Sequence, residues 1–269
     1  MNVKFADTAA RENIIELRNI SQSYDGGKNW IIRGLDLIIE DKPDQGQFVV
    51  ILGASGSGKS TLLRYIAGLQ TPTEGEVLIK GQPVSDKQRV SMVFQEYSSL
   101  PWMTVLDNVA LALEYKGLGK KQRYMKAMEM IELVGLAGQE KKYAQYPALS
   151  GGQLQRVAIA RSLIANPEIV LMDEPFGALD IRTRIQMQDM LLDLWQRFNS
   201  TIIFVTHDIS EAVYLADDIY IMKSPPSTIV EHIDIDLPLQ RDHTTKRDKH
   251  FVELVQVVED AMMKVSELK

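Results

Sequence analysis

The stretch Gly53–Thr61 of this 269-residue chain, GASGSGKST, sets three glycines ahead of a lysine and a hydroxyl pair. That spacing suits the holding of phosphate. Gly53, Gly56 and Gly58 let backbone N–H groups turn inward in conformations that a Cβ hinders. Lys59 is placed to bridge β- and γ-phosphates, and the Ser60 hydroxyl to bind Mg²⁺. With Ala54, Ser55, Ser57 and Thr61 between and after them, these residues form one candidate phosphate loop. The competing reading is a glycine-rich turn that holds nothing.

A second cluster lies downstream. In Ile169–Glu174, IVLMDE, an apolar run ends in two carboxylates. Asp173 is placed to hold Mg²⁺ through its water shell, and Glu174 to polarise a water aimed at the γ-phosphate. The plain alternative is an acidic strand end that caps the next helix. Together the two clusters describe a P-loop NTPase that uses Mg²⁺. A third stretch, Leu149–Arg156, LSGGQLQR, puts two adjacent glycines before a helical run. It is a second anion-binding face, and one nucleotide has no evident need of two.

Strands and helices must position these clusters. FVVILG before the phosphate loop is apolar without alternation, as in a parallel strand covered on both faces. IVLMDE and TIIFVT (Thr201–Thr206) resemble it, each is followed by a helical pattern, and DIYIM adds a short strand. Repeated strand–helix alternation predicts a parallel α/β sheet. NIIELRNISQSY and IIRGLDLIIE alternate as half-exposed strands do. DGGKN and EDKPDQGQ, with Pro43 and Gly46, are polar turns, and residues 1–12 read as a loose polar arm. From about Thr104 to Ala165 only helical patterns occur, with Thr104 as N-cap and Val105, Val109 and Leu113 on one face. This predicts a helical subdomain, about 96–165, inserted into a core of 1–95 and 166–269. After Ser224–Ser227 come one alternating segment and an amphipathic helix.

Composition narrows the partners. The net charge is −6, from 30 Lys+Arg against 36 Asp+Glu, which gives no support to nucleic-acid binding. There is no cysteine, so disulfides and thiolate chemistry are excluded. The N-terminus lacks the apolar segment of a secretory signal, and no apolar stretch approaches 18 residues. Any membrane role is expected to run through a partner.

The order of the motifs resembles the nucleotide-binding subunit of ATP-binding cassette (ABC) transporters over almost the whole chain. That resemblance implies a RecA-like parallel core with an antiparallel β subdomain and the inserted helices. It implies ATP as nucleotide and assigns further roles. Gln95, after strand SMVF, matches the family's Q-loop residue, which senses Mg²⁺ and the attacking water; the alternative is a polar strand end. His207 matches the switch histidine at the γ-phosphate, against a surface histidine. Tyr24 matches the aromatic that stacks on adenine, against a packed strand aromatic, with Trp30 as competitor. Asp180 in GALD matches the loop that contacts the opposite subunit, and also suits a helix N-cap. In this family two subunits face head to tail. Ser150, Gly151, Gly152 and Gln153 would then close over the ATP held by the other subunit.

With no membrane span of its own, such a subunit is expected to work with separate permease subunits and an external substrate-binding protein. Its place would be the cytoplasmic face of the cell membrane. SLPWMTVLDN is similar to the nitrate, sulfonate and taurine importer branch, as is the tail IDLPLQRD, although Leu239 and Gln240 stand where that branch carries an arginine. Trp102 and Met103 belong either to the groove that receives the permease or to the subdomain core. The rival functions are import of another small solute, a non-transport ABC ATPase, and a binding module without catalysis. The intact Lys59, Ser60, Asp173, Glu174 and His207 speak against the last.

Overall fold

The computed structural model describes residues 13–42, 45–84, 90–96 and 98–267. The arm read over residues 1–12, and Pro43 of the second turn, lie outside them. In chain order the elements open with β1 (Asn13–Gln22), β2 (Ile32–Glu40), β3 (Phe48–Leu52) and α1 (Lys59–Ile66). Then come β4 (Glu74–Ile79), β5 (Gln82–Pro83) and β6 (Ser91–Val93), followed by α2 (Val105–Tyr115), α3 (Lys120–Leu133) and α4 (Gly151–Leu163). The last part holds β7 (Ile169–Asp173), α5 (Ile181–Phe198), β8 (Thr201–Thr206), α6 (Ile209–Leu215), β9 (Asp218–Lys223), β10 (Thr228–Asp234) and α7 (Lys249–Glu267).

Two sheets result. One is antiparallel, in the order β2-β1-β4-β5, and the other runs β10-β9-β3-β8-β7-β6. In the second, β9, β3, β8, β7 and β6 are parallel and β10 closes the edge antiparallel. β3, β7 and β8 are buried at every position. Their alternate side chains feed two cores. Phe48, Val50, Leu52, Met172 and Phe204 face the helices α2 to α7, while Val49, Ile51, Leu171 and Val205 face α1 and the antiparallel sheet. That is why these strands lack alternation: both faces are covered.

β2 alternates as expected. β1 does not, since Ile14, Ile15, Glu16 and Leu17 are all buried. It lies inside its sheet between β2 and β4, and its register shifts around Arg18–Ile20, where Asn19 takes φ 49°. β4 and β5 carry no sequence pattern singled out above. The segment from Thr104 onward is helical as read, with Thr104 capping α2 by accepting from the Asp107 N–H. Among the described residues no helix is long and apolar enough to cross a membrane.

The C-terminal part packs on the core. Phe251, Leu254, Val258 and Ala261 form the buried stripe of α7, at helical spacing. Arg241 is the arginine of the IDLPLQRD tail. Its side chain is buried and donates to the carbonyls of Tyr214 (3.0 Å) and Ala216 (2.8 Å) and to Asp217 (3.1 Å). It therefore ties down the C-terminal end of α6, a use of arginine that follows from the orphan carbonyls there. The tail motif has a structural explanation independent of any transported solute.

Candidate functional site

Register across the parallel sheet brings the first site together. Leu52 of β3 pairs with Thr206 of β8, and Val205 of β8 with Asp173 of β7. The next residues along each strand, Gly53, His207 and Glu174, therefore emerge at one edge. The Glu174 N–H donates to the Val205 carbonyl at 3.0 Å, which fixes that level. β6 lies beyond β7 and ends at Val93, so Gln95 leaves the same edge one strand further out, exposed. The carboxyl ends of adjacent parallel strands are where open α/β sheets bind ligands.

The charged side chains here are committed to one another. Lys59 Nζ is buried and donates to the carbonyls of Gly53 (2.9 Å) and Ala54 (3.0 Å). It also lies 3.5 Å from Glu174 Oε1. Burial pulls the Lys59 ammonium below the usual lysine range, with Glu174 opposing. The second oxygen of Glu174, Oε2, meets His207 Nδ1 at 2.9 Å. Glu174 thus spans the phosphate-loop lysine and the histidine, and does so at φ 41°, a backbone region costly for a side chain with a Cβ. Ser60 Oγ donates to Asp173 Oδ1 at 2.8 Å. Burial pushes the Asp173 carboxyl up, and the Ser60 bond holds it back.

The loop fits a triphosphate, and the Ser60–Asp173 pair fits a hard cation. A Cβ on Gly53 would come within 2.6 Å of the Met222 carbonyl and 2.8 Å of Ser57 Oγ, so the backbone there has no room for a side chain. Gly56 and Gly58 take φ 81° and 87°, and Gly58 is the N-cap of α1, which directs the helix N-terminus at the loop. A hydroxyl and a carboxylate within hydrogen-bond reach are the hard oxygen donors that Mg²⁺ selects.

The other predicted residues stand apart from this network. Tyr24 is 66% exposed, and its hydroxyl accepts from Gln70 Nε2 at 2.9 Å. The DGGKN turn beside it is knotted by Asp25, which accepts from the N–H groups of Lys28 and Asn29 and from the Ser23 hydroxyl. Those bonds pull the Asp25 carboxyl down to about 2. Tyr24 is thus presented by a rigid turn, and the packed-aromatic reading does not fit its exposure.

The signature stretch caps α4. Ser150 Oγ accepts from the Gln153 N–H (3.3 Å) while Gln153 Oε1 accepts from the Ser150 N–H (2.9 Å), a reciprocal capping box. Because Ser150 Oγ accepts there, its own proton can still be donated outward. A Cβ on Gly152 would meet Thr183 Cγ2 at 2.6 Å, so part of that glycine's role is to let α4 approach α5. Asp180 caps α5 by accepting from the Thr183 N–H (3.0 Å), a bond that holds its carboxyl below the usual range. Signature and Asp180 are therefore neighbours in the fold.

Sequence reading overlooked three anchors. Buried Asn108 donates to the carbonyls of Leu100 and Thr104, and its Oδ1 accepts from the Leu100 N–H. Arg161 donates to the Ser98 carbonyl at 2.6 Å. Together they brace the loop after Gln95 and leave Trp102 70% exposed, which removes Trp102 from the subdomain core. The third anchor is Glu211, buried on α6 and bonded to Thr206. No single-residue signal marked it, because its other partner, Gln188, lies 23 residues away on α5.

The family model "ABC transporter" matches residues 40–177. The nitrate import ATP-binding protein NrtD of Synechocystis is 43% identical over 249 residues, 88% of this chain and 90% of that protein. The taurine import ATP-binding protein TauB of Pseudomonas aeruginosa is 40% identical over 256 residues, 92% of this chain and 95% of that protein. Among solved structures, a dimeric ATP-binding cassette in a post-hydrolysis state with ADP and Pi superposes with a TM-score of 0.70 at 32% identity. It covers 83% of this chain and all of that one.

Proposed function

The chain belongs to the ABC transporter family as one of its ATP-hydrolysing subunits, and from that premise we propose how its residues divide the work. Two such subunits close head to tail around two ATP molecules, and their closing and opening drive separate permease subunits that import a small anion. The observation that carries this is the level register of β3, β8 and β7, which delivers the phosphate loop, Glu174 and His207 to one edge. The signature stretch presents its own helix N-terminus from a separate element.

In the bound complex Gly53 to Thr61 cradle the phosphates of ATP. Lys59 exchanges its contacts with the Gly53 and Ala54 carbonyls for phosphate oxygens. Ser60 and Gln95 would hold Mg²⁺, with Asp173 acting through its water shell, and the ion would screen phosphate charge. Glu174 accepts the proton of the attacking water, and His207, already against Glu174, meets the γ-phosphate. Tyr24 stacks on adenine. Ser150, Gly151, Gly152 and Gln153 close on the γ-phosphate of the opposite subunit, and Asp180 contacts that subunit. Hydrolysis removes the group both faces hold, which is the differential interaction a switch requires.

Residues 96–165 act as the helical unit and 1–95 with 166–269 as the ATP-binding core. The braced loop that exposes Trp102 runs beside Tyr143, through a bridge from Thr104, and offers an aromatic surface to the permease. Docked on such a permease, the subunit would work at the cytoplasmic face of the membrane. Likeness to proteins named for nitrate and taurine import supports a nitrate-, taurine- or sulfonate-class anion, delivered by an external binding protein. The test is reconstitution with a permease. ATP turnover that rises when a binding protein is loaded with one of these anions is expected; turnover indifferent to all of them refutes the substrate class.

A further inference from the structure

Behind His207 sits a carboxylate that the reaction above does not use. Glu211, on the first turn of α6, is 5% exposed, and its partners Thr206 and Gln188 are buried with it. Thr206 Oγ1 donates to Glu211 Oε2 at 2.5 Å, and Gln188 Nε2 donates to Oε1 at 2.9 Å. Thr206 Oγ1 in turn accepts from the Asp208 N–H at 3.1 Å. Asp208 Oδ1 accepts from the Glu211 N–H at 2.9 Å and closes the loop. On the far side Lys246 Nζ donates to Gln188 Oε1 at 2.6 Å. His207 is the residue between Thr206 and Asp208.

We infer that Glu211 is a positioning residue for the reaction: it holds the Thr206–Asp208 turn, hence His207, and Lys246 ties the C-terminal segment into the same chain of bonds. This rests on the proposed action of His207 at the γ-phosphate.

The direction of the bonds carries the argument. Two runs of donors end on Glu211: Lys246 Nζ through the Gln188 amide on one side, and the Asp208 backbone N–H through the Thr206 hydroxyl on the other. Arg184 Nη1 donates to the other oxygen of Asp208, outside both runs. A carboxylate, which only accepts, terminates both runs. An amide of equal size cannot. With its NH₂ toward Gln188 it forces that side chain to flip, and an NH₂ then faces the Lys246 ammonium. With its NH₂ toward Thr206 it leaves the threonine proton without an acceptor in a buried site. Burial pushes the Glu211 carboxyl up while Thr206 and Gln188 pull it down, so those bonds stabilise an otherwise unfavourable buried charge. A cavity of about 20 Å³, close to the size that holds one water, is lined by Glu174, His207, Asp208 and Glu211. Glu211 thus faces the same small space as the proposed base, and a shift of the turn is felt there directly.

The experiment measures kcat and KM for ATP on the full chain, with ATP affinity measured separately. Glu211→Gln and Thr206→Val are expected to lower kcat roughly 5- to 20-fold, the scale of one or two buried hydrogen bonds. KM and ATP affinity should stay within about twofold, because the phosphate loop is untouched. Thr206→Ser, which keeps the hydroxyl, should restore kcat, and Lys246→Met should cost about two- to threefold. The decisive reading is a cycle with His207→Ala, followed by single turnover. If Glu211 acts through His207, Glu211→Gln adds no further loss in that background. An equal loss with and without His207 overturns the inference, as does a kcat within twofold of wild type in both Glu211→Gln and Thr206→Val. Should Glu211→Gln fail to fold, the Thr206→Val and Thr206→Ser pair decides alone. A His207→Ala variant with wild-type turnover would instead remove the reading of His207 on which the inference rests.

Discussion

The two regions of this chain proposed to face phosphate differ in how they satisfy their own chemistry. At the phosphate loop, Lys59, Glu174 and His207 are joined in one series, and Ser60 is bonded to Asp173 beside them. At the signature, the side chains of Ser150 and Gln153 bond to each other's backbone, at an exposed helix N-terminus. The first region brings to one sheet edge the groups proposed to activate the water, hold the cation and hold the phosphates. The second brings donors alone, with no carboxylate in its capping box. On the proposed function, one is a catalytic half that lacks a lid, and the other is a lid that lacks a catalytic half. That reading would explain why one chain carries both, each completed by the other region of a second subunit.

Glu174 offers the hardest test of that contrast. Glu174→Gln keeps the volume and removes the proposed base, so turnover is expected to fall about 10²–10⁴-fold. ATP binding should survive, since the Gly53–Thr61 backbone is unchanged, and ATP-bound dimer should accumulate. Phosphate release and size-exclusion with ATP check both. Hydrolysis at the wild-type rate would mean that the catalytic half lies elsewhere.

Ser150→Arg attacks the lid. Turnover and ATP-driven dimerisation should be lost, by about 10²-fold or more if the donors act on the γ-phosphate. ATP affinity of the isolated chain should stay within about twofold, because Ser150 belongs to a different element from the phosphate loop. Equal loss of monomer binding would merge the two regions and break the comparison.

Gly152 sharpens it, because two explanations compete at one residue. Gly152→Ala places a Cβ 2.6 Å from Thr183 Cγ2, an overpacking expected to cost about 1–3 kcal/mol and several degrees of melting temperature. Adding Thr183→Ser removes that methyl. If the glycine serves only the approach of α4 to α5, the double variant recovers both melting temperature and turnover. If it also lets the backbone meet a partner's phosphate, melting recovers and turnover does not.

Much of this was legible because the relevant signals are local. The phosphate loop, the IVLMDE carboxylates and the Thr104 cap each lie within a few consecutive residues, and the buried parallel strands betray themselves by lacking alternation. β1 was misread as half-exposed, because its burial comes from β2 and β4 on either side and not from its own pattern. Glu211 and Arg241 were invisible as anchors because they bond to residues far off in sequence, whereas Asn108 bonds to Leu100 and Thr104 nearby and was passed over as an ordinary polar helix residue. Glu211 meets Gln188 23 residues away, and Arg241 meets Ala216 at 25. The arginine of the tail and the asparagine of SLPWMTVLDN looked like marks of a substrate branch. In the fold they brace a helix end and a loop, so likeness in those motifs reports shared architecture before it reports a shared solute.

Tyr24 gives the smallest expected effect and tests the edge of the catalytic half. Its hydroxyl is already engaged with Gln70, and its ring is held out by the Asp25 turn. If the ring stacks on adenine, Tyr24→Ala should weaken ATP binding by about 1–3 kcal/mol, the usual worth of a base–aromatic stack. Tyr24→Phe should change it less than about twofold, since the exposed hydroxyl bond contributes little. Trp30 is half-buried beside the same turn, so Trp30→Ala separates the two aromatics. A large loss at Trp30 with none at Tyr24 would move the adenine platform. A loss in Tyr24→Phe equal to that in Tyr24→Ala would show that the hydroxyl, not the ring face, is what the nucleotide meets.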